Sequence, residues 1–220
     1  MINLDLTGKR ALVTGASLGI GEACVKMLAD QGASVGFCAR NQAGVDRLAA
    51  YQPEGDGAVH GFIADMNDAA STQSFLEAAT AEGDVDILIN NVGASPSRNF
   101  LYMADEDWHS LHELNVMSAV RCTRHCLPGM RKKQWGRVVM VASGAAKYPS
   151  AALIDYGTTK AAMISMAKSL ARKYGSDGVL VNSVLPGLIH TAMGERAATE
   201  IAEASDSTMD AVLARNGKGV

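Results

Sequence analysis

The chain has 220 residues, 48% of them hydrophobic and 20% charged, which suits one domain, 1–220, with a sizeable core. A net charge of −3 gives no reason to expect nucleic acid or an anionic membrane surface as partner, and no apolar run approaches the roughly 18 residues needed to span a bilayer. The first ten residues, Met1 to Arg10, lack the apolar core of a signal peptide, and Cys24, Cys38, Cys122 and Cys126 show no metal-binding spacing, so the expected location is cytoplasmic and no metal is expected.

Short apolar runs alternate with helical periodicity along the whole chain. Strands are predicted at 10–14, 34–38, 58–63, 87–90, 137–142 and 180–184, and helices at 20–31, 42–50, 69–82, 106–132 and 154–174. Alternation of this kind predicts an α/β fold, a parallel sheet covered on both faces. Right-handed crossovers give a Rossmann-type doubly wound order of 3-2-1-4-5-6. Gly15, Asn91, Ser143 and Pro186 then fall just beyond the carboxyl ends of strands, where ligands bind in such sheets.

The first strand runs into Thr14-Gly15-Ala16-Ser17-Leu18-Gly19-Ile20-Gly21. Gly15 can take φ values closed to other residues, and Gly19 lets backbone N–H groups approach a pyrophosphate at the following helix N-terminus. The second strand ends in Cys38-Ala39-Arg40. An NAD site places a carboxylate here for the ribose 2′-OH. Ala39 stands there instead, and the Arg40 guanidinium can fork onto a 2′-phosphate. NADP(H) is therefore favoured, with NAD(H) as the alternative.

Tyr156 and Lys160 lie four residues apart on the predicted helix 154–174, one above the other on one face. An ammonium one turn from a phenol favours the phenolate, so Lys160 is expected to lower the Tyr156 pKa and make it a proton donor or acceptor near neutrality. Ser143 closes the strand that precedes them.

In this order the segments resemble the classical short-chain dehydrogenase/reductase family, from about Gly8 to Thr191. Asn90-Asn91-Val92-Gly93 is similar to the family's Asn-Asn-Ala-Gly, and Asn115 in Leu114-Asn115-Val116 matches the tetrad asparagine completed by Ser143, Tyr156 and Lys160. The resemblance implies cofactor contacts from Gly15, Ser17, Leu18, Gly19, Ile20, Arg40, Asp65, Met66, Asn91, Val92, Gly93, Tyr156, Lys160, Pro186, Gly187, Ile189 and Thr191. It implies an NAD(P)-dependent oxidoreductase that interconverts a carbonyl and an alcohol. Tyr156 would exchange the proton, Ser143 would hydrogen-bond the carbonyl oxygen, and Lys160 would hold the nicotinamide ribose. Asn115 would interrupt its helix and hold a water that relays the proton.

Helix 154–174 offers an outer face of Ala161, Ala162, Ser165, Ala167, Lys168 and Ala171 with Met163 and Met166, and helix 106–132 offers Trp108, Leu111, Val116, Val120 and Leu127. Paired two-fold they would build a homodimer or homotetramer, as in members of the family, while 191–214 reads as a substrate lid with a hinge at Gly194. The family's usual further helix and seventh strand do not appear before Val220. The expectation is that the protein continues beyond it, the alternative being that it lacks the element and leaves strand 180–184 as a sheet edge. Two other functions compete: a nucleotide-binding sensor or scaffold without turnover, and an extended-type epimerase or dehydratase. The Gly-x-x-x-Gly-x-Gly spacing argues against the latter. No residue names the substrate.

Overall fold

A computed structural model describes residues 5–187 together with Ile189, Thr199, Ala202 and Thr208. Six strands form one sheet: β1 (Arg10–Val13), β2 (Ser34–Ala39), β3 (Ala58–Ile63), β4 (Ile87–Asn90), β5 (Gly136–Val141) and β6 (Val179–Val184). All pair in parallel, in the order β3-β2-β1-β4-β5-β6, as the alternation of elements predicts. The helices are α1 (Gly19–Asp30), α2 (Gln42–Ala49), α3 (Ala69–Thr80), α4 (Asp105–His112), α5 (Ser118–Lys132) and α6 (Ile154–Tyr174). Thr191 and most of the segment 191–214, Gly194 included, lie outside the described residues.

Successive strand residues point to opposite faces, and here both faces are buried. Leu12, Leu88, Val138 and Met140 enter one core with α3, α5 and α6 side chains such as Phe75, Cys122 and Met163. Their neighbours Val13, Ile87, Ile89 and Val141 enter a second core with Val25, Val35 and Leu48, beneath α1 and α2. Those two cores explain the unbroken apolar runs. Among the described residues β6 is an outer strand, and Leu180 and Val184 on it are 47% and 45% exposed.

Helix starts follow local chemistry. Asn41 Oδ1 accepts the Gly44 N–H at 2.8 Å to open α2, and Asp68 Oδ1 accepts the Ser71 N–H at 2.6 Å to open α3. The single helix expected over 106–132 is instead two, joined by a π-turn at Glu113–Met117 with Asn115 at its centre. Pro128 is accommodated inside α5, so the interruption comes from Asn115's surroundings rather than from the imino acid. The helix faces also differ from expectation. Met163 and Ala167, expected on the outer face of α6, are buried in the core against the sheet, as is Val116 within the π-turn, and Leu111 before it is buried as well.

Candidate active site

The carboxyl ends of β1, β4, β5 and β6 bring the predicted residues to one edge of the sheet. After β1 the chain turns through Gly15 (φ 64°) and Gly19 (φ 61°), left-handed conformations that only glycine adopts at little cost. Gly21 is packed so closely that a Cβ would stand 2.6 Å from Asn91 Nδ2 and 2.7 Å from the Gly15 carbonyl oxygen. The loop is also pinned from β4. Thr14 Oγ1 accepts the N–H groups of Asn91 and Val92 at 3.0 and 3.1 Å, and Asn91 Nδ2 donates to the carbonyls of Thr14 and Gly15 at 3.0 and 2.9 Å.

Leu18, the residue that caps α1, offers no side-chain acceptor to the first-turn N–H groups. A helix N-terminus left uncapped by its own chain beside two left-handed glycines fits a phosphate group. Ser17 and Ile20 are half-buried around this turn, and Leu18 is exposed. From α2, Arg47 clamps the loop: its guanidinium donates to the Ser17 carbonyl and, at 3.0 and 2.7 Å, to both carboxylate oxygens of Glu22. Arg47 first, and Lys26 with it, hold the Glu22 carboxyl down at about 2 although partial burial opposes this. Motif reading gave Arg47 no role, because a contact between α2 and the loop has no signature in spacing.

The loop after β4 meets the π-turn. Asn115 is fully buried, and its side chain is spent on protein partners: Oδ1 accepts the Ala94 N–H at 2.9 Å, while Nδ2 donates to the Ala94 carbonyl and to Thr159 Oγ1, both at 3.0 Å. Thr159 in turn donates to the Tyr156 carbonyl at 2.8 Å. Asn115 therefore ties the post-β4 loop to α6. At Gly93 a Cβ would lie 3.2 Å from both Asn115 Oδ1 and Lys160 Nζ, so a bare glycine leaves room there.

Tyr156 and Lys160 occupy the first two turns of α6, Lys160 Nζ lying 5.7 Å from the phenol ring centre. Ser143, just beyond β5, brings its hydroxyl beside the phenol, where it favours the ionised form. The ammonium is 3% exposed and donates to the Val141 carbonyl at 2.9 Å and to Met163 Sδ at 3.6 Å. Burial pushes Lys160 down to about 8. Here the structure departs from expectation. The phenol of Tyr156 sits above its ordinary value, because burial outweighs the opposing effect of the Ser143 hydroxyl. Lys160, anchored to a main-chain carbonyl, does not lower it in this arrangement.

Other predicted residues are less uniform. Ala39 is buried and Arg40 exposed beside the α2 cap, as a reader of a ribose substituent would be. Asp65 is exposed and turned onto its own main chain, its Oδ1 accepting the Asn67 N–H at 3.0 Å. Met66 is a correction at the side-chain level: it is 1% exposed and packed in the core with Phe75, so only its main chain is left for a ligand. Pro186 accepts the Gly144 N–H at 2.9 Å, which joins the ends of β5 and β6, while Gly187 and Ile189 are exposed just beyond.

A sequence profile of the short chain dehydrogenases matches residues 9–219. The chain is 41% identical over 186 residues to YvrD, an uncharacterized oxidoreductase of Bacillus subtilis, covering 84% of this chain and 70% of that one. It is 39% identical over 191 residues to the 3-oxoacyl-[acyl-carrier-protein] reductase FabG of Vibrio cholerae, covering 86% and 77%. L-sorbose reductase from Gluconobacter frateurii, crystallised with NADPH and L-sorbose, superimposes with a TM-score of 0.87 at 31% identity, over 96% of this chain and 81% of that one. A 3-2-1-4-5-6 parallel sheet, a glycine turn opening α1 and relatives matched over most of their length lead to one assignment: the chain is an oxidoreductase of the short-chain dehydrogenase/reductase family.

Proposed function

We propose that this protein is an NADP(H)-dependent reductase or dehydrogenase that interconverts a carbonyl and a secondary alcohol, with Tyr156 as proton donor in reduction. One observation carries the reading: the half-buried Tyr156 phenol lies beside the Ser143 hydroxyl and stands one turn from the buried Lys160, at the strand edge where the glycine turn ends. Gly15, Gly19 and the α1 N-terminus would hold the pyrophosphate, and Arg40 a ribose 2′-phosphate. When bound, the nicotinamide supplies or accepts a hydride at C4. A carbonyl oxygen between the Ser143 and Tyr156 hydroxyls meets two fixed donors as its charge develops. Tyr156 then passes its proton to that oxygen. Raised by burial, the phenol stays protonated at neutral pH, which suits a donor.

Both Nδ2 hydrogens of Asn115 are taken by protein partners and its Oδ1 already accepts the Ala94 N–H, so a relay water would rest chiefly on main-chain carbonyls at the π-turn. Thr191 would add to the clasp on the nicotinamide side. The named activities of the relatives suggest two probe substrates, a 3-oxoacyl thioester and a ketose such as L-sorbose. Turnover of either with NADPH, followed at the nicotinamide absorbance and compared with NADH, tests the reading. Binding of NADPH without turnover of any carbonyl or alcohol in a broad panel would favour a sensor.

The free thiols of Cys24, Cys38, Cys122 and Cys126 accord with a cytoplasmic location. Ala161, Ser165 and Lys168 remain exposed on α6, and Trp108 and Val120 are half-buried on α4 and α5. Their small and adaptable surfaces would pair across a two-fold axis in a homodimer or homotetramer. Light scattering that finds only a 23.0 kDa species would reject this.

A further inference from the structure

The residue before Tyr156 is a carboxylate sealed from solvent. Asp155 is 0% exposed, in the first turn of α6. Its Oδ1 accepts the Tyr156 N–H at 2.8 Å, one of the first-turn donors that a helix leaves without an internal partner. Its Oδ2 accepts Arg98 Nη1 at 2.8 Å. Arg98 stands on the loop after β4 and reaches further. Nη2 lies 3.3 Å from Asp107 Oδ1, Nη1 donates to the Asp107 carbonyl at 3.4 Å, and the Arg98 N–H donates to the Ala152 carbonyl at 3.3 Å. One side chain and its own backbone thus join the post-β4 loop, the start of α4, the segment entering α6 and the residue beside Tyr156.

Stability does not account for this arrangement. Burying a carboxylate is costly, and an apolar pair of similar volume generally stabilises a fold at least as well as a buried ion pair. What the contacts do fix is geometry: the rigid, planar guanidinium holds Asp155 through Nη1 and Asp107 through Nη2, so the two carboxylates are set relative to each other. Ser143 reaches the phenol from one side, and Asn115, through Thr159, holds the Tyr156 carbonyl from another. Asp155 holds the Tyr156 amide. The main chain of Tyr156 is therefore fastened on both sides.

We propose that Arg98 and Asp155 are a positioning pair that sets Tyr156 relative to Ser143 and couples that setting to the post-β4 loop. The proposal rests on the reading of Tyr156 as proton donor. Neither residue touches the reacting atoms; both act through the first turn of α6. A group misplaced by about 1 Å can cost 10²-fold in rate, so the effect belongs in kcat rather than in cofactor affinity.

The test compares wild type, Asp155→Asn, Arg98→Lys, their double variant and Tyr156→Phe, with acetoacetyl-coenzyme A and L-sorbose as probes. Asp155→Asn keeps an acceptor for the Tyr156 N–H and loses the charge; Arg98→Lys keeps the charge and loses the fork. Each single variant should lose about ten- to hundredfold in kcat, with NADPH Kd within about twofold of wild type and native circular dichroism. The double variant should lose no more than the worse single one, as partners in one unit do. A folded single variant with wild-type kcat, or losses that multiply in the double variant, would overturn the proposal. So would failure of both single variants to fold, which assigns the pair to folding alone. Turnover by Tyr156→Phe, or no turnover by wild type, counts instead against the donor reading and removes the pair's role with it.

Discussion

The two ends of this site are built from different materials. Around β1 and α1 the glycine turn is shaped by backbone: left-handed glycines, an uncapped helix start, and a partly exposed Arg47–Glu22–Lys26 network at its rim. Around β5 and α6 the same sheet edge carries buried polar side chains, Asn115, Asp155, Thr159 and Lys160, each tied to a main-chain group or a neighbour. A pyrophosphate is recognised by amide dipoles that any sequence can supply if the chain turns correctly. Moving a proton requires particular side chains held to within a fraction of an ångström in a low-dielectric setting. Hence the first end should fail through shape and the second through charge and position.

The largest effect on the backbone-built end should come from Gly21→Val. The new side chain meets the Gly15 carbonyl oxygen and Asn91 Nδ2 at well under contact distance, so the turn must open. We expect up to about 3 kcal/mol of lost stability, read by denaturant titration, and NADPH binding too weak to measure calorimetrically. Tight NADPH binding by this variant would break the claim that the turn is shaped for phosphate.

Arg40→Ala should come next. Loss of a charge-assisted contact to the 2′-phosphate is worth roughly 1.5–3 kcal/mol, expressed as weaker NADPH binding with NADH little changed. Equal, small effects on both cofactors would show that the exposed Arg40 does not read the 2′-phosphate.

The smallest effect probes the charge-built end. Lys160 titrates at about 8 in the folded protein against 10.5 ordinarily. Between those values the unfolded chain binds the proton that the folded chain has shed. This group's contribution to stability therefore rises with pH from about 8 towards 10.5. Tyr156 has the opposite sign: its folded value is raised above 10, so its stabilising contribution is lost as pH climbs past 10. The four thiols, Cys24, Cys38, Cys122 and Cys126, are raised by burial from 9.0 and share the tyrosine's sign, so they oppose the lysine from about pH 9 upward. The lysine is therefore isolated by difference: in denaturant titrations over pH 8–10, wild type should gain stability relative to Lys160→Met as pH rises, and parallel curves for the two proteins would reject the assignment.

Much of the fold was legible because parallel strands buried on both faces leave unbroken apolar runs. Strands 58–63 and 87–90 match their predicted bounds. Asn115's interruption of its helix followed from resemblance to the family. Residues joined by folding alone were not legible. Arg98 and Asp155 are separated by 57 positions, and burial, not residue type, makes their pairing informative. Lys160 was read against Tyr156 on helix geometry, yet its anchor is the Val141 carbonyl on β5, a partner that helical spacing does not reveal. Met66 shows the converse: its place in the motif was clear, but its side chain points into the core.

The central claim is that Tyr156 moves the proton, and Tyr156→Phe isolates it, because the ring still packs and only the hydroxyl is lost. Carbonyl reduction by wild type and variant should be followed at saturating NADPH, with NADPH affinity measured separately. Turnover should fall by about 10²–10⁴-fold while NADPH Kd stays within about twofold. A Tyr156→Phe enzyme that retains near-wild-type kcat would contradict the account.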